Sequence, residues 1–186
     1  MVIFIFLGLL IVVVLMLISM YNRLVKYRNH RENAFADIDV QLRQRHDLIP
    51  QLVDTVKGYM KHEENVLTTV TAARSGALQA KTINDKIAAE NQLTSALQGL
   101  NVAIEAYPDL KASSNFAMLQ EEISDVENKL ASVRRFFNSA TREYNNAVET
   151  FPSNIIAGMF NFNKEVMFDL GVEDRKTMSE APKVSL

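Results

Sequence analysis

The feature that most constrains this chain is the apolar run at residues 1–20, which contains no charged side chain. Twenty residues of helix extend about 30 Å, the thickness of the hydrocarbon core of a bilayer. Only Gly8 and Ser19 fall outside the apolar set, so the run lacks the polar face of a surface helix. It predicts a transmembrane anchor, followed by a globular body that holds all 20 basic and all 22 acidic residues.

Four basic residues follow this run before the first acidic residue, Glu32, and form a basic collar: Arg23, Lys26, Arg28 and Arg31. Basic residues beside a spanning helix tend to stay in the cytoplasm, so we expect the N-terminus outside and the body in the cytoplasm. The alternative is a cleaved signal peptide, which would carry its positive charge ahead of the apolar run. The collar is also a candidate for contact with anionic lipid.

The clearest periodicity in the body is a heptad seam between residues 116 and 151, in which apolar or small residues recur in alternating steps of three and four. Five large residues mark it: Phe116, Ile123, Leu130, Phe137 and Tyr144. The seam predicts one long helix that starts near Ser113 or Ser114 and ends at Pro152. Its partner is either the same chain or another copy.

Two asparagines, Asn138 and Asn145, lie seven residues apart beside this seam. Such a pair can bridge two helices with side-chain hydrogen bonds and specify register or oligomer number. The alternative is ordinary exposed polarity on the helix surface.

A second pattern with the same spacing runs from Ile38 to Ala73, with Tyr59 and Val66 on its seam. The seam is widened by three further apolar residues: Val53, Met60 and Leu67. Pro50 lacks a backbone N–H, so it either kinks this helix, which we favour, or restarts it with Asp47 as the cap. Two charged residues, Arg45 and Glu63, interrupt the apolar seam and predict polar contacts inside the packing.

A third helix is predicted from Ile83 to Ile104, with Thr82 and Asp85 as its capping pair. After Pro152, Ser153 can cap a short fourth helix that begins an apolar segment with five large side chains: Ile155, Ile156, Met159, Phe160 and Phe162. We expect this segment to pack as the fourth helix. If exposed, it would form a docking patch or enter the membrane interface.

These patterns predict an all-α fold: a single N-terminal transmembrane helix followed by an antiparallel up-and-down bundle of three to four long helices. The short connections at residues 75–82 and 106–113 favour antiparallel neighbours. The expected domains are the anchor at 1–20, the bundle at 21–170 and a flexible tail at 171–186.

The most suggestive polar residues form one cluster in the second pattern: Asp39, Arg43, Arg45, His46 and Asp47. The pairs Asp39–Arg43 and Arg43–Asp47 are each four residues apart and can pair along one helix face. We interpret the cluster as an ion-pair network that fixes helix register. The alternative is a binding site for a partner helix or a charged headgroup.

The sequence offers little for catalysis. It has no cysteine, its three histidines (His30, His46 and His62) lie sixteen residues apart, and it contains no phosphate-binding glycine loop or nucleophile elbow. We therefore expect no catalytic residue, no metal site, no cofactor and no enzymatic activity. The net charge of −2 argues against a nucleic-acid partner.

The chain resembles the LemA family through many motifs in order from the anchor to about residue 168. The most specific are residues 38–42 (IDVQL), 45–50 (RHDLIP) and 107–112 (YPDLKA), with YNRLV at 21–25 and the pairs Phe151-Pro152 and Phe160-x-Phe162. The resemblance implies a bacterial inner-membrane protein with one N-terminal span and a helical-bundle body. It implies no established reaction.

We interpret the chain as a non-enzymatic, membrane-anchored helical scaffold that self-associates or organises other membrane proteins. The expected partners are membrane lipids, further copies of the chain and other membrane proteins. The first alternative is a lipid-facing protein that shapes or senses the membrane, and the second is an adaptor of a membrane protease.

Overall fold

The computed structural model of the protein describes residues 1–60 and 62–168. Every regular element within these residues is a helix, in the order α1 (Val2–Lys57), α2 (Glu64–Gln79), α3 (Ile83–Ile104), α4 (Pro108–Lys111), α5 (Ser114–Glu149) and α6 (Ser153–Met159). The predicted all-α class, with an apolar N-terminal helix followed by further helices, is confirmed. The predicted tail at 171–186 lies outside the described residues, and the domain boundaries stay predictions.

The anchor and the first helix of the body are one element, because α1 runs through the collar and Pro50 to Lys57. The predicted restart at Asp47 is therefore wrong. The kink at Pro50 stays a prediction. The helix tolerates the proline because another side chain binds the carbonyl that Pro50 leaves unpaired, as described below.

The second sequence pattern is not one helix to Ala73, since α1 ends at Lys57 and α2 begins at Glu64. Gly58 follows the last helical residue, and a glycine inside a helix costs about 0.5–1 kcal/mol relative to alanine. Within the predicted seam, Tyr59 is exposed, contrary to expectation, while Met60 and Leu67, which widen the seam, are buried. The end of α1 was not predicted because the apolar spacing in the sequence continues unbroken across Gly58.

The described residues form two compact units, each with residues from both α1 and α5. The bundle unit comprises Asp37–Arg135, together with Phe168 of the C-terminal segment. Its largest core cluster joins the end of α1 to α2, α3, α4 and the start of α5, and includes Ile49, Val56, Val70, Leu93, Leu100, Leu110 and Phe116. As predicted, Thr82 caps α3, its hydroxyl accepting a hydrogen bond from the Asp85 amide at 3.1 Å.

The anchor unit comprises Met1–Ala36 and Phe136–Met167. Its core cluster joins α1 just after the apolar run to the end of α5, to α6 and to the following segment, through Leu24, Tyr144, Ile156, Ala157 and Phe162. The predicted cap Ser153 is wrong, because this residue is the first of α6. Its hydroxyl instead donates to the carbonyls of Ala147 and Thr150, at 2.7 and 2.8 Å.

The predicted seam of α5 packs within the chain. Phe116, Leu130, Phe137 and Tyr144 are buried, and Ile123 packs against the bundle core. Phe137 contacts the ring of Phe35 edge-on, at 5.5 Å between ring centroids. An oligomer interface along this seam would require the chain to open first.

Candidate functional sites: a buried ionic network and an exposed apolar face

A carboxylate of α3, Glu90, lies at the centre of a buried ionic network in the bundle unit, with 1% of its surface exposed. One of its oxygens accepts a hydrogen bond from Arg45 Nη1 at 3.1 Å, and the other lies 2.6 Å from His46 Nε2. Arg45 Nη2 also donates to Thr94 Oγ1 at 3.1 Å. Two consecutive residues of α1 therefore hold both oxygens of one buried carboxylate.

A second ion pair lies one helical turn away from this network. Asp39 accepts hydrogen bonds from Lys86 at 2.5 Å and from Arg43 at 3.0 Å. Burial alone would raise the pKa of Asp39, but hydrogen bonds and charge from Lys86 and Arg43 hold it below its ordinary value. The predicted Asp39–Arg43 pair is confirmed, whereas Asp47 is exposed and no ion pair among the described residues joins it to Arg43.

The five-residue cluster from the sequence is therefore two ion-pair groups plus an exposed aspartate. The α3 half of both groups consists of Lys86, Glu90 and Thr94, which are four residues apart and share one helix face. Glu90 was missed, although the sequence contains a signal for it. It falls at a seam position between Ile87 and Leu93, where a charged residue requires a buried partner.

A hydrogen bond from a side chain of α2 to a backbone carbonyl of α1 completes the same network. Pro50 has no N–H, so the carbonyl four residues earlier, at His46, loses its helical partner. Arg74 Nε donates to this carbonyl at 2.8 Å. The side chain of His46 thus binds Glu90 of α3, while its carbonyl binds Arg74 of α2.

The chemistry available to this network is restricted. The guanidinium of Arg45 contacts Glu90, Thr94 and Glu127, whose Oε1 lies 2.7 Å from Arg45 Nε. The guanidinium of Arg45 and the carboxylate of Glu90 are therefore already paired within the chain. No group of three or more potential metal ligands occurs among the described residues.

The anchor unit holds its C-terminal segment by polar contacts to two helices. The side-chain amide of Asn145 donates to the Glu165 carbonyl and accepts from the Glu165 amide, both at 2.9 Å. Both sequence interpretations of Asn145 are therefore wrong, because it is buried and binds a segment without regular secondary structure rather than a second helix. Asn138 is also buried, which excludes ordinary surface polarity there.

Arg31 of α1 contacts the same segment, 3.3 Å from a Glu165 carboxylate oxygen and 3.4 Å from the Val166 carbonyl, to which it donates. Burial lowers the pKa of Arg31, and the charge of Glu165 opposes this. Burial also raises the pKa of Tyr144, and the charge of Glu165 adds to the effect.

The four residues of the basic collar do not act alike. Arg31 is buried, so its predicted contact with lipid is wrong. Arg23 donates to the Tyr27 hydroxyl at 3.0 Å, and Arg28 lies over the ring of Phe162 at 5.3 Å. Arg23, Lys26 and Arg28 are exposed and fit the predicted role.

The apolar segment after Pro152 is divided between core and surface. Ile156 and Phe162 are buried, as expected of a packed fourth helix, while Ile155, Met159 and Phe160 are exposed. Phe151, just before α6, is also exposed. We call the four exposed side chains, Phe151, Ile155, Met159 and Phe160, the apolar face.

Helix α1 is long and apolar enough at its start to cross a membrane. None of its most apolar 18-residue window is buried by the rest of the chain. Fold and surface together define an all-helical protein with one apolar N-terminal helix that is long enough to cross a membrane. The chain belongs to the LemA family, which matches residues 34–186 and thus begins after the anchor.

Two relatives extend this comparison. Protein LemA of Metamycoplasma hominis is 26% identical over 155 residues, which cover 83% of this chain and 71% of the relative. The magnetosome protein MamQ of Magnetospirillum gryphiswaldense is 20% identical over 178 residues, which cover 82% of this chain and 65% of MamQ.

Proposed function

We propose that the protein is a non-enzymatic, membrane-anchored scaffold that associates with copies of itself, and with other membrane proteins, through its transmembrane helix. The observation that carries this proposal is the uncovered apolar surface of α1. The same helix continues without interruption into the buried network of the bundle unit. The helix that enters the membrane is therefore also a structural helix of the body.

Association through the span is also supported by the burial of the α5 seam within the chain. Because the seam of α5 packs within the chain, it is not free to bind another copy. Transmembrane helices associate by close packing of small and apolar side chains, and both kinds are exposed on all sides of α1 between residues 2 and 18.

Two measurements on the full-length protein test this proposal. The first is its mass in mild detergent, where we expect a defined multimer. The second is a scan of single cysteines along residues 3–18 in vesicles, which is free of background because the chain has no cysteine. Crosslinks that recur every three to four residues would identify one helix face as the interface. A monomeric mass without crosslinks would contradict self-association.

We further propose that the span lies in the bacterial inner membrane with its N-terminus outside, supported by the exposed collar residues Arg23, Lys26 and Arg28. A membrane-impermeant maleimide should label Val2→Cys in cells whose inner membrane is intact. It should label Asn128→Cys, an exposed position of α5, only after lysis. The reverse labelling pattern would contradict this orientation.

A further inference from the structure

The apolar face arises because α6 has two unlike sides. Ile156 and Ala157 point into the core of the anchor unit, at 3% and 1% exposure. Ile155 and Met159 lie four residues apart and share the opposite side, where they are 54% and 69% exposed. Phe160 and Phe151 extend this exposed surface at the two ends of the helix, so four large apolar side chains face outward around one short helix.

This face lies beside the point where α1 leaves its apolar run. The ring of Phe160 packs edge-on against Tyr21, the first residue after that run, at 4.8 Å between ring centroids. At the other end of the face, Phe151 lines a cavity of about 360 Å³ together with Met20 and Arg23 of α1. The face is thus in contact with the end of the proposed span.

The surrounding contacts fix the face in this place. The Phe162 amide donates to the Ala157 carbonyl at 2.9 Å, and the buried Phe162 ring lies beneath the Arg28 guanidinium. Three residues further on, Asn145 holds the backbone of Glu165 through two hydrogen bonds. The exposed side chains therefore belong to a packed segment, and their exposure is a property of the folded chain.

We propose that the apolar face inserts into the boundary between headgroups and acyl chains of the leaflet from which α1 emerges. The inference rests on the proposed role of residues 2–20 as the span. Lipid is the occupant because the face continues the apolar surface of that span at its end. The cations Arg23 and Lys26 are exposed on the same stretch of α1, where lipid phosphates would meet them.

Single-cysteine reporters in the otherwise complete, cysteine-free chain test this placement. Ile155→Cys and Met159→Cys would each carry an environment-sensitive fluorophore in vesicles of phosphatidylcholine and phosphatidylglycerol. Lipids with quenchers at known depths would then locate the fluorophore. Leu10→Cys reports on the span itself, and Val102→Cys is the matched control, an apolar residue of the bundle unit that is 74% exposed.

We expect quenching at Ile155 and Met159 to be strongest for shallow quenchers, since interfacial segments sit about 5–10 Å into the boundary region. Leu10 should respond best to deep quenchers, and Val102 to none. If Leu10 responds but positions 155 and 159 are instead open to aqueous iodide, the inference fails while the span stands. If Leu10 does not respond, the proposed span itself fails.

Two further outcomes would also overturn the proposal. Shielding of positions 155 and 159 from iodide and from lipid quenchers alike would mean that protein, such as a second copy, covers the face. Equal lipid quenching at Val102 would mean that lipid contact does not depend on this face.

Discussion

The bundle unit and the anchor unit bury polar groups in different ways. In the bundle unit, the most buried charge, Glu90, is held by Arg45 and His46, and the surrounding core consists mainly of aliphatic side chains from several helices. In the anchor unit, Arg31 and Asn145 hold a segment without regular secondary structure, and four large apolar side chains stay outside the core. The first unit pairs its buried charges within the chain, while the second leaves these apolar side chains uncovered by the described residues.

This difference bears on the proposed contact with the membrane. A buried ion pair contributes little net stability compared with apolar residues of the same volume, but its two partners must meet in one register. We therefore expect the network of the bundle unit to favour one alignment of α1 and α3. Exposed apolar surface, by contrast, is unfavourable in water and favourable in contact with lipid or protein, which supports the proposal that the anchor unit contacts the membrane.

The largest effect should come from placing a charge in the core of the anchor unit. Phe137→Asp removes a fully buried ring, which alone costs about 3–5 kcal/mol, and leaves an unpaired carboxylate in its place. We expect loss of helical circular dichroism and of cooperative unfolding. Phe136→Asp, at the half-exposed neighbouring position, should stay folded. A folded Phe137→Asp protein of reduced mass would instead identify the seam as an oligomer interface.

The network of the bundle unit should be the next most sensitive feature. Glu90→Ala removes the buried carboxylate shared by Arg45 and His46 and leaves Arg45 paired only with the partly exposed Glu127, and we expect a loss of about 3 kcal/mol in the free energy of unfolding. Denaturant titration of the full-length protein in detergent measures this loss, with Glu122→Ala at an exposed position as control.

The double variant Glu90→Leu with Arg45→Met separates charge burial from packing. Because it removes both charges and keeps apolar volume, it should recover much of the stability that Glu90→Ala loses. If Glu90→Ala were as stable as Glu122→Ala, the network would contribute nothing to the fold.

Arg74 and Pro50 should be coupled, although they lie in different helices. Arg74→Ala leaves the His46 carbonyl without its donor, which costs about 1–3 kcal/mol. Pro50→Ala restores a backbone N–H to that carbonyl, so Arg74→Ala should cost less in its presence. A double-mutant cycle measures the coupling, for which we expect at least about 0.5 kcal/mol. Strict additivity would mean that Arg74 stabilises the bundle by packing alone.

The sequence predicted the helices well where period and boundary signals agreed. The seam from Phe116 to Tyr144 and the Thr82 cap are both present. The pattern failed at Gly58, because the apolar spacing continued in phase across a helix end. Helical period reports which side chains face the core, but it does not reveal whether the backbone turns between them.

The site was predictable in part for a similar reason. Arg45 in an apolar seam indicated a buried polar contact, and Glu90 in the α3 seam was the matching signal. The contacts of Arg31 and Asn145 with Glu165 could not be predicted in this way. Glu165 lies in a segment without regular secondary structure, which has no periodic sequence pattern. The sequence of the apolar segment also did not reveal that Ile156 is buried while Ile155 is exposed.

The smallest expected effect is the pH dependence of the outer ion pair in the bundle unit. Since its folded pKa lies below the unfolded value of about 3.9, Asp39 stabilises the fold above that value. The contribution is lost as the pH falls through the folded pKa. Asp39→Asn should therefore lower stability near pH 7 by up to about 1 kcal/mol, because the pair is only partly buried. Its difference in stability from the wild type should shrink below about pH 4.

Asp54→Asn, the same exchange at an exposed position of α1, is the matched control. A difference that persists at low pH would mean that Asp39 acts through packing or uncharged hydrogen bonds rather than through its charge.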